Sequence, residues 1–312
     1  MSTPKIVIMK TIGKHGRFAN SIFQHFFLDT YARRHDCDLQ LSAWVGNSIF
    51  GIRQTPVEVN LPIYSEPCVD GQPVPPKGDE LVGHDFSGYG QVHTSYFDPE
   101  DKIQGQLVYR TGAGICWPLI ATAYELAEND DTVIGIHLRR GDYGRMAFYV
   151  TPVEWYLKWL DDHWSTFKNP VLFIASEDPS LVDEFSEYNP VTTESLGISL
   201  ENQPLDDYPY LKTDLRTKEP LQMDFMPDWY CLTQSDVLLI PNSTFSFTAA
   251  MFGKCKEMWR SNLSTQKFEL TDPWNSYPLL QDVAEDYRHI PGVCLDETPY
   301  WKRTETGYIE KE

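Results

Sequence analysis

The chain reads as an α/β protein built from two nucleotide-binding-type units. Its 312 residues are enough for about two domains at the usual domain size. It opens on a strand, a glycine-bearing turn and a helix. A second alternation of strands and helices begins near residue 131.

The opening is residues 5–10 (KIVIMK), a short apolar strand, followed by TIGKHGRFAN, whose glycines supply the turn. In SIFQHFFLDTYARRH, together with the residues before it, Phe18, Ile22 and Phe26 recur at i, i+4 and i+8 beside Phe23 and Phe27. This spacing predicts a helix with a wide apolar face. Between 51 and 110, prolines at 56, 62, 67, 73, 75 and 76 predict loops and irregular connections. Residues 116–128 (CWPLIATAYELAE) read as a helix, and TVIGIHLR reads as a buried strand because β-branched and apolar residues run without interruption. Thr151 and Glu154 have the spacing of a capping box around TPVEWYLKWLDDHW, with Pro152 at the first helical position. PVLFIASEDP predicts a further strand, SLVDEFSEY and PLQMDFMPDWYCLTQS predict helices, and DVLLI predicts a short strand. PNSTFSFTAAMFG reads as a loop entering a helix with a glycine near its stop. The expected division is 1–130, 131–265 and a tail over 266–312 that packs across both domains.

Composition narrows the function. An excess of 45 acidic over 26 basic residues, a formal charge of -19, argues against broad binding to nucleic acid or anionic membranes, since no general basic surface exists to neutralise phosphates. No apolar run approaches the roughly 20 residues needed to span a bilayer, and the N-terminus lacks a signal-peptide pattern, so a soluble, cytoplasmic chain is expected. The 6 cysteines are scattered without a CxxC pair and are expected mostly in the core. Sequons at Asn242 and Asn262 carry little weight without secretion. Nothing in the sequence sets an oligomeric state.

Ligands of open α/β sheets gather beyond the carboxyl ends of the strands. The residues at those ends are His137, Arg139, Arg140 and Asp142; then Ser176, Glu177 and Asp178; then Asn242, Ser243, Thr244, Phe245 and Ser246. A guanidinium stays charged and offers a planar fork of donors matched to phosphate oxygens. The hydroxyls and amides of NSTFS at a helix N-terminus suit other oxygens of the same group. Together they describe a diphosphate site without a metal. The plainer reading is that the arginines pair with Asp142 or another carboxylate to hold a loop, that NSTFS caps its helix, that SEDP is a turn, and that His15 and His137 are structural. Asp36-Cys37-Asp38 is a weak metal dyad. There is no GxGxxG fingerprint, Walker GKS/T, GxSxG elbow, HExxH helix or zinc cluster.

IGIHLRRGDY resembles the HxRRxD signature of inverting fucosyltransferases that use GDP-fucose, most closely the α-1,2-fucosyltransferase family. GRFANSIFQ is similar to that family's GRLGNQMFQ opening, and IPNSTFSFTAAMF resembles its NSTFSWW segment. The resemblance implies a GT-B-like architecture of two Rossmann-like domains facing a cleft, and no cofactor or metal. A GDP-fucose donor would lie on the second domain and an oligosaccharide or glycoconjugate acceptor would be held from the first. By the same resemblance Arg139 is the donor-phosphate arginine, with Arg140, His137 and Asp142 about it. Asn242, Ser243, Thr244 and Phe245 surround the nucleotide, Ser176, Glu177 and Asp178 approach the ribose or base, and Arg17 and Asn20 lie on the sugar and acceptor side. Asp142 and His15 are the candidate bases. Ala19 and Ser21 replace the family's glycine and glutamine, and Phe247 and Thr248 replace its paired tryptophans, which leaves linkage and transferred sugar open. Competing readings are a transferase of another GDP-linked sugar, a protein O-fucosyltransferase, a noncatalytic nucleotide- or glycan-binding protein, and, against the glycine spacing, an NAD-dependent oxidoreductase.

Overall fold

The computed structural model describes residues 5–50, 52, 55–97, 131–144, 148–198, 223–280, 290–293, 301–304 and 307–310. The chain divides into two compact units: Met1–Trp117 with Leu200–Asp224 and Trp274–Pro278, and Pro118–Ser199 with Phe225–Pro273 and Leu279–Glu312. The helix expected over 116–128 lies outside the described residues.

In the first unit, β1 (Ile6–Met9) is buried along its whole length, as its apolar run predicts. Helix α1 (Phe18–His35) follows, then β2 (Asp38–Leu41), α2 (Val45–Ile49), β3 (Ile63–Ser65), β4 (Cys68–Val69), β5 (Gln72–Pro73) and β6 (Asp85–Ser87). Phe18, Ile22, Phe23, Phe26 and Phe27 of α1 are all buried. The helix stops where Asp36 turns left-handed (φ 52°), with Arg33, Arg34 and His35 in the last turn, where cations offset the helix dipole. Asp36 is thus a helix terminator and Asp38 opens β2, a structural use for both acids of the dyad. Among the described residues no group of three or more His, Cys, Asp and Glu is arranged to hold a metal.

The proline-rich region is more ordered than expected. Strands β3 and β6 join β1 and β2 in a parallel sheet of order β2-β1-β6-β3, while β4 and β5 pair separately, antiparallel. Strands of two or three residues carry no readable periodicity, and β6 is recruited by its neighbours: Asp85 sits opposite both Ile8 and Ile63.

The second unit runs β7 (Thr132–Leu138), α3 (Val153–His163), β8 (Pro170–Ser176), a 3-10 helix (Pro179–Tyr188), α4 (Phe225–Thr233), β9 (Val237–Ile240), α5 (Thr244–Phe252), β10 (Glu257–Asn262) and β11 (Lys267–Thr271). Its sheet has the order β11-β10-β9-β7-β8, parallel except for the edge strand β11. Ile134, Ile136, Leu172, Ile174 and Leu239 pack against Tyr156 and Trp159 of α3. Strand β11 belongs to the segment expected as tail, and its Phe268 enters this core. Strands β12 (Trp301–Thr304) and β13 (Gly307–Glu310) form an antiparallel pair.

Several local expectations are corrected. The capping box at Thr151 is not made: Pro152 is the N-cap, no side chain caps the helix, and the buried Thr151 hydroxyl donates to Ser261 Oγ at 2.9 Å. SLVDEFSEY forms a 3-10 rather than an α-helix. Gly253 ends α5 in extended rather than left-handed backbone. It is required for space, since a Cβ there would stand 2.3 Å from the Thr233 carbonyl oxygen. Of the described cysteines only Cys231 is buried; Cys37 and Cys255 are intermediate and Cys68 is exposed. No helix among the described residues is long and apolar enough to cross a membrane.

Candidate functional site

In the second sheet, β7 lies between β8 and β9, so the chain leaves β7 toward one edge and later crosses back to its other side. Open α/β sheets bind ligands at such a reversal, beyond the carboxyl ends of the flanking strands, here β7 and β9. The loops at those ends are Arg139–Gly144 and Asn242–Ser243.

The β7 end is rigidly held. His137 is 4% exposed; its Nδ1 meets Ser246 Oγ at 2.8 Å, and its carbonyl accepts from the Tyr156 hydroxyl at 2.8 Å. Burial, then the Arg139 and Arg140 charges, push the His137 imidazole down to about 3, so it is neutral and fastens β7 to α5. His137 and Arg139 therefore diverge: the imidazole faces α5, and the guanidinium leaves the strand end. Arg139, whose side chain is 13% exposed, forms ion pairs with Asp142 and Glu177 and lies over the Tyr143 ring at 5.1 Å. The Arg140 amide donates to Glu177 Oε2 at 2.8 Å, and its Nη1 donates to the Arg139 carbonyl at 3.0 Å. No carboxylate among the described residues pairs with the Arg140 guanidinium. Desolvation lowers its pKa from the ordinary arginine value.

The loops after β7 and β9 are joined by a residue the sequence reading did not single out. Tyr143 donates its hydroxyl to the Asn242 carbonyl at 2.6 Å, and burial pushes the phenol up to about 12, so it remains a donor. Asn242 is 1% exposed, which closes its sequon in the folded chain. Its Oδ1 accepts from Arg260 Nη2 at 2.6 Å and from the Leu280 amide at 2.8 Å, and its Nδ2 donates to the Leu280 carbonyl at 2.9 Å. Arg260, also missed, is buried over the Phe247 ring at 5.4 Å; an arginine in a short mixed strand carries no distinguishing sequence signal.

Ser243 begins α5 but makes no side-chain cap bond, so its hydroxyl is not what closes the helix end. Thr244 and Phe245 are half-buried, with the Phe245 ring 5.2 Å from His137. At the β8 end Ser176 and Asp178 serve a turn: Ser176 Oγ accepts from the Asp178 amide at 3.0 Å, and Asp178 Oδ1 accepts from the Ser180 amide at 3.1 Å. Ion pairs and hydrogen bonds thus gather Arg139, Arg140, Asp142 and Glu177 around the carboxyl end of β7, with Phe245 packed on His137 and Ser243 hydrogen-bonded to Tyr143. His15, Arg17 and Asn20 belong to the other unit, His15 and Arg17 exposed in the loop after β1 and Asn20 on the first turn of α1.

No protein-family model matches the chain, and no curated protein matches it. Solved structures do. A NodZ alpha-1,6-fucosyltransferase soaked with GDP-fucose aligns over 86% of this chain and 99% of its own, with a TM-score of 0.52 at 14% identity. The fold is GT-B-like. NodZ co-crystallized with GDP matches over 87% of this chain and 99% of its own (TM-score 0.50, 13% identity), and the selenomethionine NodZ from Bradyrhizobium over 86% and 98% (TM-score 0.50, 13% identity). In this GT-B-like chain each unit has a parallel or mainly parallel sheet with its own crossover reversal.

Buried histidines make the fold sensitive to acid. His25 of α1, packed 5.5 Å from the Trp44 ring, is pushed down to about 4 by burial, and His137 to about 3. Both folded values lie below the unfolded value, so the unfolded chain takes up protons first. Stability is full above about pH 6.5 and falls as pH drops toward the folded values, by at most about 1.4 kcal/mol per pH unit for each histidine. The urea midpoint is expected to fall between pH 7 and pH 5 and to fall less in His25→Phe; an unchanged slope would remove His25 as a source.

Proposed function

We propose that this protein is an inverting glycosyltransferase that moves L-fucose from GDP-β-L-fucose to a glycan hydroxyl without a metal, with α-1,2 transfer to a terminal galactose as the leading linkage. The observation that carries the reading is the arginine pair at the crossover point of the second sheet, beside the N-terminus of α5. The GT-B-like fold and the resemblance of the motifs support it.

In the proposed reaction the acceptor oxygen forms a bond to fucose C1 while the bond from C1 to the GDP phosphate oxygen breaks. The hydroxyl proton leaves to a base, and the electron pair leaves with GDP. Negative charge grows on the diphosphate. Arg139, Arg140, Thr244 and the first amides of α5 are assigned to stabilise it, doing electrostatically what a metal does elsewhere. Glu177 is assigned to the nucleoside side. Asp142 is ion-paired with Arg139, which favours an orienting role for it. His15 stands as the other candidate base.

The ion pairs of Arg139 with Asp142 and Glu177 favour a second reading, in which the guanidinium only tethers its loop. Calorimetric titration with GDP, GDP-fucose, GDP-mannose and UDP in EDTA separates the two. Binding of GDP and GDP-fucose but not UDP is expected. Silence toward every GDP ligand, or binding only after metal is restored, would overturn the metal-free donor site.

A further inference from the structure

The three side chains around the Arg139 guanidinium differ in what an arriving anion does to them. Asp142 and Glu177 are themselves anions, and their side chains are 58% and 39% exposed. A diphosphate competes with both for the same N–H donors and repels them toward water. Tyr143 is different on each count. Its ring lies 5.1 Å from the guanidinium carbon, within the range at which a π face attracts a cation, and it carries no charge to be repelled. Once phosphate oxygens have taken the fork, the ring is the contact of the three that does not compete with them.

The ring is also held in place. Tyr143 is buried, its ring centroid stands 5.3 Å from that of Phe148, and its amide donates to the Arg140 carbonyl at 2.9 Å. Gly141, left-handed at φ 53°, allows the chain to close that turn. At the far end of the ring the hydroxyl donates to the Asn242 carbonyl at 2.6 Å, and Asn242 is the residue before Ser243, the N-cap of α5. Arg260 and the Leu280 backbone fix Asn242 in turn. One side chain therefore links the arginine to the start of the helix, the two parts of the phosphate site. Resting on the donor-site reading above, we infer that Tyr143 is a positioning residue for Arg139: its ring keeps the guanidinium in place when a diphosphate displaces the carboxylates, and its hydroxyl sets that ring against the start of α5.

The test is a double-mutant cycle on the full chain, read by calorimetry with GDP, with circular dichroism checking the fold of each variant. Tyr143→Leu removes the ring and is expected to weaken GDP by about tenfold, as the loss of a desolvated cation–ring contact would. In the Arg139→Ala background the same change should cost less than about twofold, because the group it positions is already gone. Tyr143→Phe keeps the ring but releases it from Asn242, and a loss of about threefold is expected, again only where Arg139 is present. That variant carries the cycle if Tyr143→Leu does not fold. Nitrogen-edited NMR reads the contact without ligand: the Arg139 Nε–H signal, assigned by its disappearance in Arg139→Ala, should lie upfield under the ring current and move downfield in Tyr143→Leu. Equal losses of GDP affinity in both backgrounds, or an Arg139 signal that Tyr143→Leu leaves unmoved, overturn the inference while the donor site stands. An Arg139 signal that moves in a chain that ignores GDP would instead sink the donor-site reading and leave Tyr143 as the residue that holds Arg139.

Discussion

Arg139→Ala is expected to cost GDP affinity a hundredfold or more, about 3 kcal/mol, the range for deleting one partner of a desolvated charge pair. The loss has two parts. The fork of donors disappears, and Asp142 and Glu177, which now partner it, are left facing an incoming diphosphate without an intervening cation. Arg139→Lys should recover only part of the affinity, since an ammonium is a point charge and cannot reproduce the bidentate fork. Calorimetry with GDP, with circular dichroism confirming the fold, measures it. Near-parental affinity in Arg139→Ala would return the residue to a loop tether and leave Arg140 as the surviving candidate for the phosphate.

Asn242→Ala is the second large effect, and it falls on stability. The change removes the Oδ1 that accepts from the buried Arg260 guanidinium, together with both bonds to the Leu280 backbone. Weakening the solvation of a buried charge while stripping backbone partners is expected to destabilise the protein by about 3 kcal/mol. The urea midpoint measures it. A shift within about 0.5 kcal/mol, the range of an ordinary surface substitution, would show that the network is not holding the loop. Because Tyr143 bonds the Asn242 carbonyl rather than its side chain, the β7 and β9 loops should stay joined in the variant that folds.

Legibility in the sequence followed from locality. The β7, β8 and β9 runs are visible because strands buried on both faces need uninterrupted apolar residues, and α1 because its phenylalanines recur at helical spacing. The capping pattern at Thr151 misled for the converse reason. Its hydroxyl had a better use 110 positions away, at Ser261, and a local motif holds only when nothing distant competes. Tyr143 and Arg260 passed unnoticed because a tyrosine in a loop and an arginine in a short mixed strand are each ordinary.

By itself, then, the sequence determined the α/β alternation, the two-unit plan and the arginine pair at the end of a buried strand, since each is written in the order of neighbouring residues. The tertiary structure alone decided that the three residues of β6 lie beside β1, that His137 faces inward while Arg139 leaves the strand, and that Asn242 and Arg260 satisfy each other. These are consequences of burial: a polar group removed from water must find its partner wherever the fold brings one, and separation along the chain says nothing about where that is.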